Sequence, residues 1–180
     1  MFALTPRLTL RPGWPEDAPE LARAIGHEAV ATRLARVPWP YDEADARRFL
    51  SQPRGAADPV FLITERGRGG RLVGGIGIRA GEASHELGYW LTPSAWGNGY
   101  ATEAARAVVA MAHDALRLRT LRATAFDGND ASARVLAKLG FRPTGKTVRM
   151  TCLALGRDVD AVESELALDD VRADPIAMAA

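Results

Sequence analysis

The segment from Pro59 to Pro93 constrains the fold most, because it contains three strand-like runs separated only by short turns. The runs are PVFLITER, RLVGGIGIRA and SHELGYWLTP, and the glycine-rich turn GRGG joins the first two. Strands that follow one another through such turns pair antiparallel. Further strand-like runs lie at 7–12, 121–126, about 144–155 and about 158–168. We therefore expect a sheet of six to seven strands.

About four helices are predicted around this sheet. Two of them, WPEDAPELARAIG and DEADARRFLSQ, precede the hairpins, and the other two span 99–116 and 129–140. Hairpin strands interrupted by crossover helices predict an α/β (α+β) fold, with a mixed, mostly antiparallel sheet and helices on both faces. A chain of 180 residues suits one domain. We expect a single domain over 1–180, with its folded part at about 5–168 and a flexible tail at 169–180.

The composition argues against several classes of partner. Lys+Arg 23 against Asp+Glu 22 gives a net charge of +1, so no nucleic-acid or membrane surface is expected. Cys152 is the only cysteine and the three histidines are scattered, so neither a disulfide nor a metal site is expected. The first residues do not resemble a secretory signal, and no run of 18 apolar residues is present. We expect a cytoplasmic protein.

The stretch WGNGYATEA, from Trp96 to Ala104, places two glycines at the start of the third helix. A dinucleotide fingerprint would need a third glycine where Thr102 stands, and a P-loop would need a G-K-[ST] sequence that is absent. Glycines and the first turn of a helix can together present backbone N–H groups to an oxyanion such as a phosphate. The alternative is a helix start that glycine makes easier and that binds nothing.

A second polar group lies at the start of the fourth helix. Val135, Leu136 and Leu139 form its apolar stripe, and three to four residues earlier the same face carries Ser132, near Asn129. Helical spacing therefore puts a hydroxyl on the buried face at the helix N-terminus. The alternative is a polar first turn with ordinary capping.

Together, ELGYWLTPSAWGNGYATEA and NDASARVLAKLGF resemble the GNAT family of acyl-CoA-dependent N-acyltransferases, in its RimJ/RimL-like branch. The resemblance covers about residues 5–168 and implies a GNAT-type sheet with splayed central strands. It also implies acetyl-CoA (coenzyme A) as the acyl donor, without a metal. The loop that would bind the coenzyme A diphosphate comprises Trp96, Gly97, Asn98, Gly99, Tyr100, Ala101 and Thr102.

The resemblance assigns roles to residues on either side of this loop. Leu91 and Thr92 match the segment that pairs with pantetheine, and the Leu91 backbone N–H matches a donor to the thioester carbonyl. Asn129 and Ser132 match the polar pair near pantetheine and sulfur. Many members carry a basic residue where Asn98 stands. Other branches carry a tyrosine acid where Leu136 stands, which transfers that role to Ser132.

The implied reaction is direct attack of a primary amine on acetyl-CoA. Ser132 would hydrogen-bond the departing thiolate, and Glu86 is the candidate base, although a solvated strand carboxylate is equally compatible with its position.

The acceptor would be a protein N-terminal α-amine, as in ribosomal-protein acetylation, or a small-molecule amine. Trp39 and Tyr41 are candidates to line its cleft, with core packing as the alternative. We expect a monomer or a homodimer. A catalytically silent acyl-CoA-binding module is the rival function.

Overall fold

The computed structural model describes residues 1–67, 69–81 and 84–169, together with the backbone of 178–179. The expected tail at 169–180 therefore lies almost entirely outside the described residues. The strands are β1 (Phe2–Leu4), β2 (Leu8–Arg11), β3 (Val60–Glu65), β4 (Leu72–Ala80), β5 (His85–Leu91), β6 (Thr120–Phe126), β7 (Arg142–Cys152), β8 (Arg157–Ala167) and β9 (Met178–Ala179). The helices are α1 (Ala18–Ile25), α2 (Glu28–Ala31), α3 (Glu43–Leu50), α4 (Tyr100–Asp114) and α5 (Asp130–Lys138). Short 3-10 helices at Pro15–Asp17 and Pro93–Ala95 precede α1 and α4.

The strands form one sheet in the order β7-β8-β6-β5-β4-β3-β2-β1-β9. The described strand pairs are antiparallel except β5 with β6, which are parallel. The mixed, mostly antiparallel sheet is thereby confirmed. The count differs from six to seven, because β1 and β9 are added at one edge. Strands of three and two residues are too short to show a period-2 pattern.

Helices cover both faces of the sheet, as expected. In β3, Phe61 and Ile63 belong to a core that includes the alanine-rich face of α4, whereas Leu62 belongs to a second core with α1. Successive side chains of a strand point to opposite faces, so β3 is buried on both sides and its sequence is continuously apolar. Five helices are described instead of about four. The added helix, α2, is a single turn of four residues and has too few positions to show helical spacing.

The central strands β5 and β6 separate along their length. Their parallel pairing is recorded at Glu86 opposite Arg122. Beyond that point β5 continues to pair with β4 as far as Leu91, and β6 with β8 as far as Phe126. The two strands therefore diverge toward their C-terminal ends, which confirms the splayed central strands and opens a gap in the sheet.

Candidate active site

A cavity of about 420 Å³ lies at this gap. Its walls come from β5, from the loop before α4 with the first turn of that helix, from α5 and from α2. The sequence-predicted residues that line it are Leu91, Trp96, Gly97, Gly99, Tyr100, Ala101, Thr102, Asn129 and Ser132. The structure thus brings the two polar groups of the sequence together in one cavity.

The loop before α4 has the backbone that an anion site requires. Gly97 and Gly99 both have φ of +76°, a left-handed conformation that side chains other than glycine rarely adopt. Gly99 is the N-cap of α4 and offers no side chain to cap the helix. The backbone N–H groups of the first turn have no acceptor within the helix. These donors, which belong to Tyr100, Ala101 and Thr102, lie at the cavity.

Asn98 and Thr92 do not line the cavity. The Asn98 amide Nδ2 donates to the carbonyl oxygens of Ala95 and Trp96, each at 3.2 Å, so the side chain stabilises its own loop. The side chain of Thr92 is buried, and its N–H donates to the Val73 carbonyl at 2.9 Å. The structure therefore gives both residues a structural role in the turn, and their contact with coenzyme A stays a prediction.

Arg7 and Glu103 stabilise the loop without lining the cavity. The sequence did not suggest either residue. The Arg7 guanidinium donates to the Asn98 carbonyl at 2.9 Å and forms an ion pair with Glu103 at 2.6 Å. It also lies over the Tyr100 ring at 4.8 Å. Arg7 and Glu103 are 96 positions apart, so no local pattern links them.

Glu103 is held by several donors at once. It accepts hydrogen bonds from the Thr5 hydroxyl at 2.6 Å, the Arg7 N–H at 2.9 Å and Arg7 Nε at 2.7 Å. Burial by itself would raise the pKa of the Glu103 carboxyl, but these hydrogen bonds and the Arg7 charge outweigh it, so the pKa is lowered. The carboxylate thus ties the first turn of α4 to the N-terminal segment.

The backbone of Leu91 faces the gap between β5 and β6. The next residue, Thr92, donates its N–H to Val73 on the β4 side. Because hydrogen-bonding directions alternate along an antiparallel strand, the N–H and C=O of Leu91 point away from β4. The indole Nε1 of Trp96 donates to the Leu91 carbonyl at 2.8 Å. The Leu91 N–H is left directed at the cavity, where a bound acyl group could accept from it.

Ser132 is fixed by its neighbours at the start of α5. Its backbone N–H donates to Asn129 Oδ1 at 3.3 Å, which makes Asn129 the N-cap of the helix. Its hydroxyl lies 2.8 Å from the hydroxyl of Tyr89. Leu136, one turn later, is buried in the core. Asn129 and Ser132 therefore occupy the positions that helical spacing predicted.

Tyr89 is a cavity residue that the sequence reasoning missed. Burial raises its pKa, and the hydrogen bond with Ser132 opposes this rise only in part. The signal was available in β5, because the alternation that puts Glu86 and Trp90 on one face puts Leu87, Tyr89 and Leu91 on the other. The latter face packs against the core that contains α4 and part of α5.

Glu86 does not lie in this cavity. It lines a separate cavity of about 370 Å³ with Arg36, Arg79, Arg122 and Glu163, and its carboxylate forms an ion pair with Arg79. It precedes Leu91 by five residues, or roughly 16 Å of extended strand, and points to the opposite face from Tyr89. The structure does not bring Glu86 and Ser132 together, and the role of Glu86 as a base stays a prediction.

Trp39 and Tyr41 also lie outside the cavity with Ser132. Trp39 is 40% exposed. Tyr41 packs against the core of α1 and α3, and burial raises its pKa to about 12. Tyr41 therefore follows the core-packing alternative. The wall on that face of the sheet comes instead from α2 and the residues after it, including Val30 and Arg33.

The charges around the cavity are of one sign. Arg33, Arg134 and Lys138 line it, and among its described lining residues there is no aspartate or glutamate. The Arg33 guanidinium lies 5.6 Å from the centre of the Trp96 ring. Basic side chains together with the N-terminus of α4 favour a ligand that carries several negative charges.

The residues that the structure describes contain neither a metal-binding cluster nor a helix that could span a membrane. No three or more His, Cys, Asp or Glu side chains are grouped so that they could hold a metal ion. Within the same part of the chain, every helix is too short or too polar to cross a membrane.

Comparison with known proteins agrees with this geometry. Residues 7–142 match the family described as acetyltransferase (GNAT) domain. The chain therefore belongs to the GNAT acetyltransferase family. It is 40% identical over 77 residues to the uncharacterized N-acetyltransferase YoaA of Bacillus subtilis (strain 168), an alignment that covers 41% of this chain and 44% of YoaA. The chain spans about half the length of the curated relatives it matches.

Solved structures share the whole fold. A GNAT-family acetyltransferase from Bacillus anthracis is 25% identical with a TM-score of 0.81, over 94% of this chain and 100% of that protein. RimL, a ribosomal L7/L12 α-N-protein acetyltransferase solved in complex with coenzyme A, is 18% identical with a TM-score of 0.80, over 94% of this chain and 99% of RimL. At the latter identity the likeness concerns the fold alone.

Proposed function

We propose that this chain is an acetyl-CoA-dependent N-acetyltransferase that transfers an acetyl group to a primary amine. One observation carries the proposal: the left-handed glycine loop, the Leu91 N–H and the Ser132 hydroxyl converge on one cavity in the splayed sheet. The first suits a diphosphate, the second a thioester carbonyl and the third a sulfur. Family membership supports the same reaction.

The residues present fit coenzyme A. The N–H groups from Gly97 to Thr102 would hold its diphosphate. The basic side chains of Arg33, Arg134 and Lys138 are placed to attract its phosphates, and no described carboxylate opposes them in the cavity. The complex of RimL with coenzyme A supports this assignment by analogy of fold.

When bound, acetyl-CoA supplies a thioester carbonyl that a neutral amine can attack. The Leu91 N–H would donate to the carbonyl oxygen and stabilise the negative charge that grows on it. The Ser132 hydroxyl would donate to the sulfur as it leaves. A thiol has a pKa of about 8.5, so a hydrogen bond is enough to assist this leaving group.

The acceptor follows from the cost of making the amine neutral. An α-amine with a pKa of 7.7 to 8.0 costs about 1 kcal/mol to deprotonate at pH 7, whereas a lysine amine near 10.4 costs about 4.6 kcal/mol. No described carboxylate lines the cavity to offset that cost. A protein N-terminal α-amine, or a small-molecule amine of similar basicity, is therefore the proposed acceptor. The specificity in the name of RimL points the same way.

A thiol-release assay tests the reaction. Acetyl-CoA is mixed with N-terminal peptides, free amino acids, polyamines and aminoglycosides, and free coenzyme A is measured over time. We expect turnover with α-amines at pH 7 to 8 and slower turnover in Ser132→Ala. Binding of acetyl-CoA without turnover on any acceptor, with affinity unchanged in Glu86→Gln and Ser132→Ala, would instead identify a silent acyl-CoA-binding module.

A glycine pair tests the diphosphate loop. Gly99→Val is compared with Gly156→Val, because Gly156 also has a left-handed φ (+61°) but lies between β7 and β8. Each substitution carries a similar strain of about 1–2 kcal/mol. Only Gly99→Val is expected to weaken coenzyme A binding, measured by titration calorimetry. Equal affinity in the two variants would contradict the placement of the diphosphate.

A further inference from the structure

The Tyr89–Ser132 contact connects two parts of the chain that sequence does not link. The tyrosine hydroxyl reaches from β5 to the first turn of α5, 43 positions away, and lies 2.8 Å from Ser132 Oγ. At 3.3 Å the same hydroxyl also donates to the Ser132 carbonyl oxygen, which can only accept, so the tyrosine is oriented as a donor toward Ser132. Both side chains line the cavity. The tyrosine therefore hydrogen-bonds the Ser132 hydroxyl, which the proposed function places at the sulfur of acetyl-CoA.

We propose that Tyr89 is a positioning residue for Ser132: its hydroxyl donates to Ser132 Oγ and leaves the serine proton directed at the sulfur of bound coenzyme A. This inference rests on the proposed function, in which Ser132 meets that sulfur. It adds a residue to the site and a direction to the hydrogen bond.

The direction of the hydrogen bond follows from the chemistry of the two hydroxyls. A phenol, with a pKa of about 10, is a more acidic donor than an aliphatic alcohol. Burial raises the pKa of Tyr89 further, so the phenol keeps its proton throughout the neutral range. A serine hydroxyl has one proton and two lone pairs. When one lone pair accepts from Tyr89, the serine proton is free for a second acceptor in the cavity.

The transfer step then needs no proton from the tyrosine. The amine nitrogen forms a bond to the acyl carbon, and the bond between that carbon and sulfur breaks. The electron pair of the broken bond stays on sulfur, where it accepts a hydrogen bond from the Ser132 hydroxyl. The proton that the attacking nitrogen loses neutralises the sulfur. Tyr89 and Ser132 both end the cycle protonated as they began it. Tyr89 thus acts on the reaction through Ser132 and not as an acid of its own.

The test uses the full chain and the variants Tyr89→Phe, Ser132→Ala and the double variant. Tyr89→Phe removes only the hydroxyl and keeps the ring that packs against the core. We expect its kcat to fall about 3- to 10-fold, the equivalent of one hydrogen bond, with the KM for acetyl-CoA changed less than 2-fold. In the Ser132→Ala background the same change should cost nothing more.

A second readout requires no acceptor. The pKa of the coenzyme A thiol, bound to each variant, is measured from the ultraviolet absorbance of its thiolate. Ser132→Ala is expected to raise it relative to wild type, and Tyr89→Phe to raise it partway. If the thiol pKa is the same in wild type and Tyr89→Phe, or if the losses in kcat are additive, the positioning role is wrong. If the two substitutions shift the thiol pKa but the wild-type protein shows no turnover with any acceptor, the proposed reaction is refuted and the Tyr89 contact is upheld.

Discussion

Replacing Glu103 with glutamine should loosen the loop that precedes α4. Two donors, the Thr5 hydroxyl and the Arg7 N–H, contact Oε1 of the carboxylate, and the Arg7 guanidinium contacts Oε2. An amide oxygen can take the place of Oε1, but the amide nitrogen then faces the guanidinium as a second donor. The ion pair with the Arg7 guanidinium is lost, while the hydrogen bonds from the Thr5 hydroxyl and the Arg7 N–H survive.

The size of the effect follows from these contacts. Hydrogen bonds to a charged group contribute about 1.5–3 kcal/mol, and exposed ion pairs contribute about 0–1 kcal/mol. The Glu103 side chain is 14% exposed and that of Arg7 is 51% exposed, so a value between these limits, about 1–2 kcal/mol, is expected. For a chain of this size, 1 kcal/mol shifts Tm by about 2–4 °C. Glu103→Gln should therefore lower Tm by about 2–8 °C at pH 7.

Thermal unfolding followed by circular dichroism measures this shift. The matched control is Glu43→Gln, whose partner Arg47 lies one turn later in α3 and whose side chain is 44% exposed. Its effect should stay within about 0.5 kcal/mol. We also expect Glu103→Gln to weaken coenzyme A binding, because the Arg7 contact to the Asn98 carbonyl depends on the same guanidinium. Equal Tm values in the two variants would refute the reasoning.

The pH dependence gives the sign of the effect a separate test. The pKa of Glu103 is lowered in the folded state. The ionised carboxylate therefore makes its full contribution to the free energy of unfolding above the ordinary glutamate pKa of about 4.3. This contribution is lost as the pH falls through the pKa of the folded state. The difference in Tm between wild type and Glu103→Gln should therefore be constant from pH 5 to 7 and narrow below about 4.3. A difference that persists unchanged at lower pH would contradict the charged interaction.

Three other changes test the fold by thermal unfolding. A Cβ on Gly74 would overlap the Trp90 carbonyl oxygen, whereas a Cβ on Gly88 would meet nothing within 4 Å. Gly74→Ala should therefore cost about 1–3 kcal/mol of stability, and Gly88→Ala much less. Similar losses in the two variants would disprove the close approach of β4 and β5 at Gly74. Asp42 caps α3, and Asp42→Ala should cost about 1 kcal/mol; no loss would mean that the cap is not formed in solution. The Arg11 hydrogen bond lowers the pKa of the Asp17 carboxyl, so Asp17→Asn should destabilise the protein at pH 7. The Tm values of the variant and of wild type should converge below about pH 3.9. A Tm difference that does not change with pH would contradict the ion pair.

Local patterns predicted those parts of the site that a single segment builds. The loop glycines and the position of Ser132 on α5 depend only on backbone conformation and on 3.6-residue spacing, both of which the sequence displays. Arg7, Glu103 and Tyr89 were missed because each acts on a partner in another element. The one-turn helix α2 was missed because its four residues form less than one heptad of pattern.

Glu86 shows where strand periodicity stops being informative. Alternation predicted which face of β5 it occupies, and the structure agrees, since Tyr89 lies on the other face. Alternation says nothing about the neighbours that meet that face. These proved to be Arg79 and the residues around Arg122, in a cavity apart from Ser132.

The sequence by itself determined the class of fold, the two polar segments at the starts of α4 and α5, and the resemblance to the GNAT family. The fold class and the two polar segments follow from short-range periodicity and turn chemistry, and the resemblance rests on the motifs ELGYWLTPSAWGNGYATEA and NDASARVLAKLGF. The resemblance implied splayed central strands, but only the tertiary structure decided that β5 and β6 part after Glu86, that both polar segments line the cavity at this gap, and that Tyr89 meets Ser132 there. Such contacts join residues dozens of positions apart, and their geometry depends on how the helices pack on the twisted sheet, which no local pattern encodes.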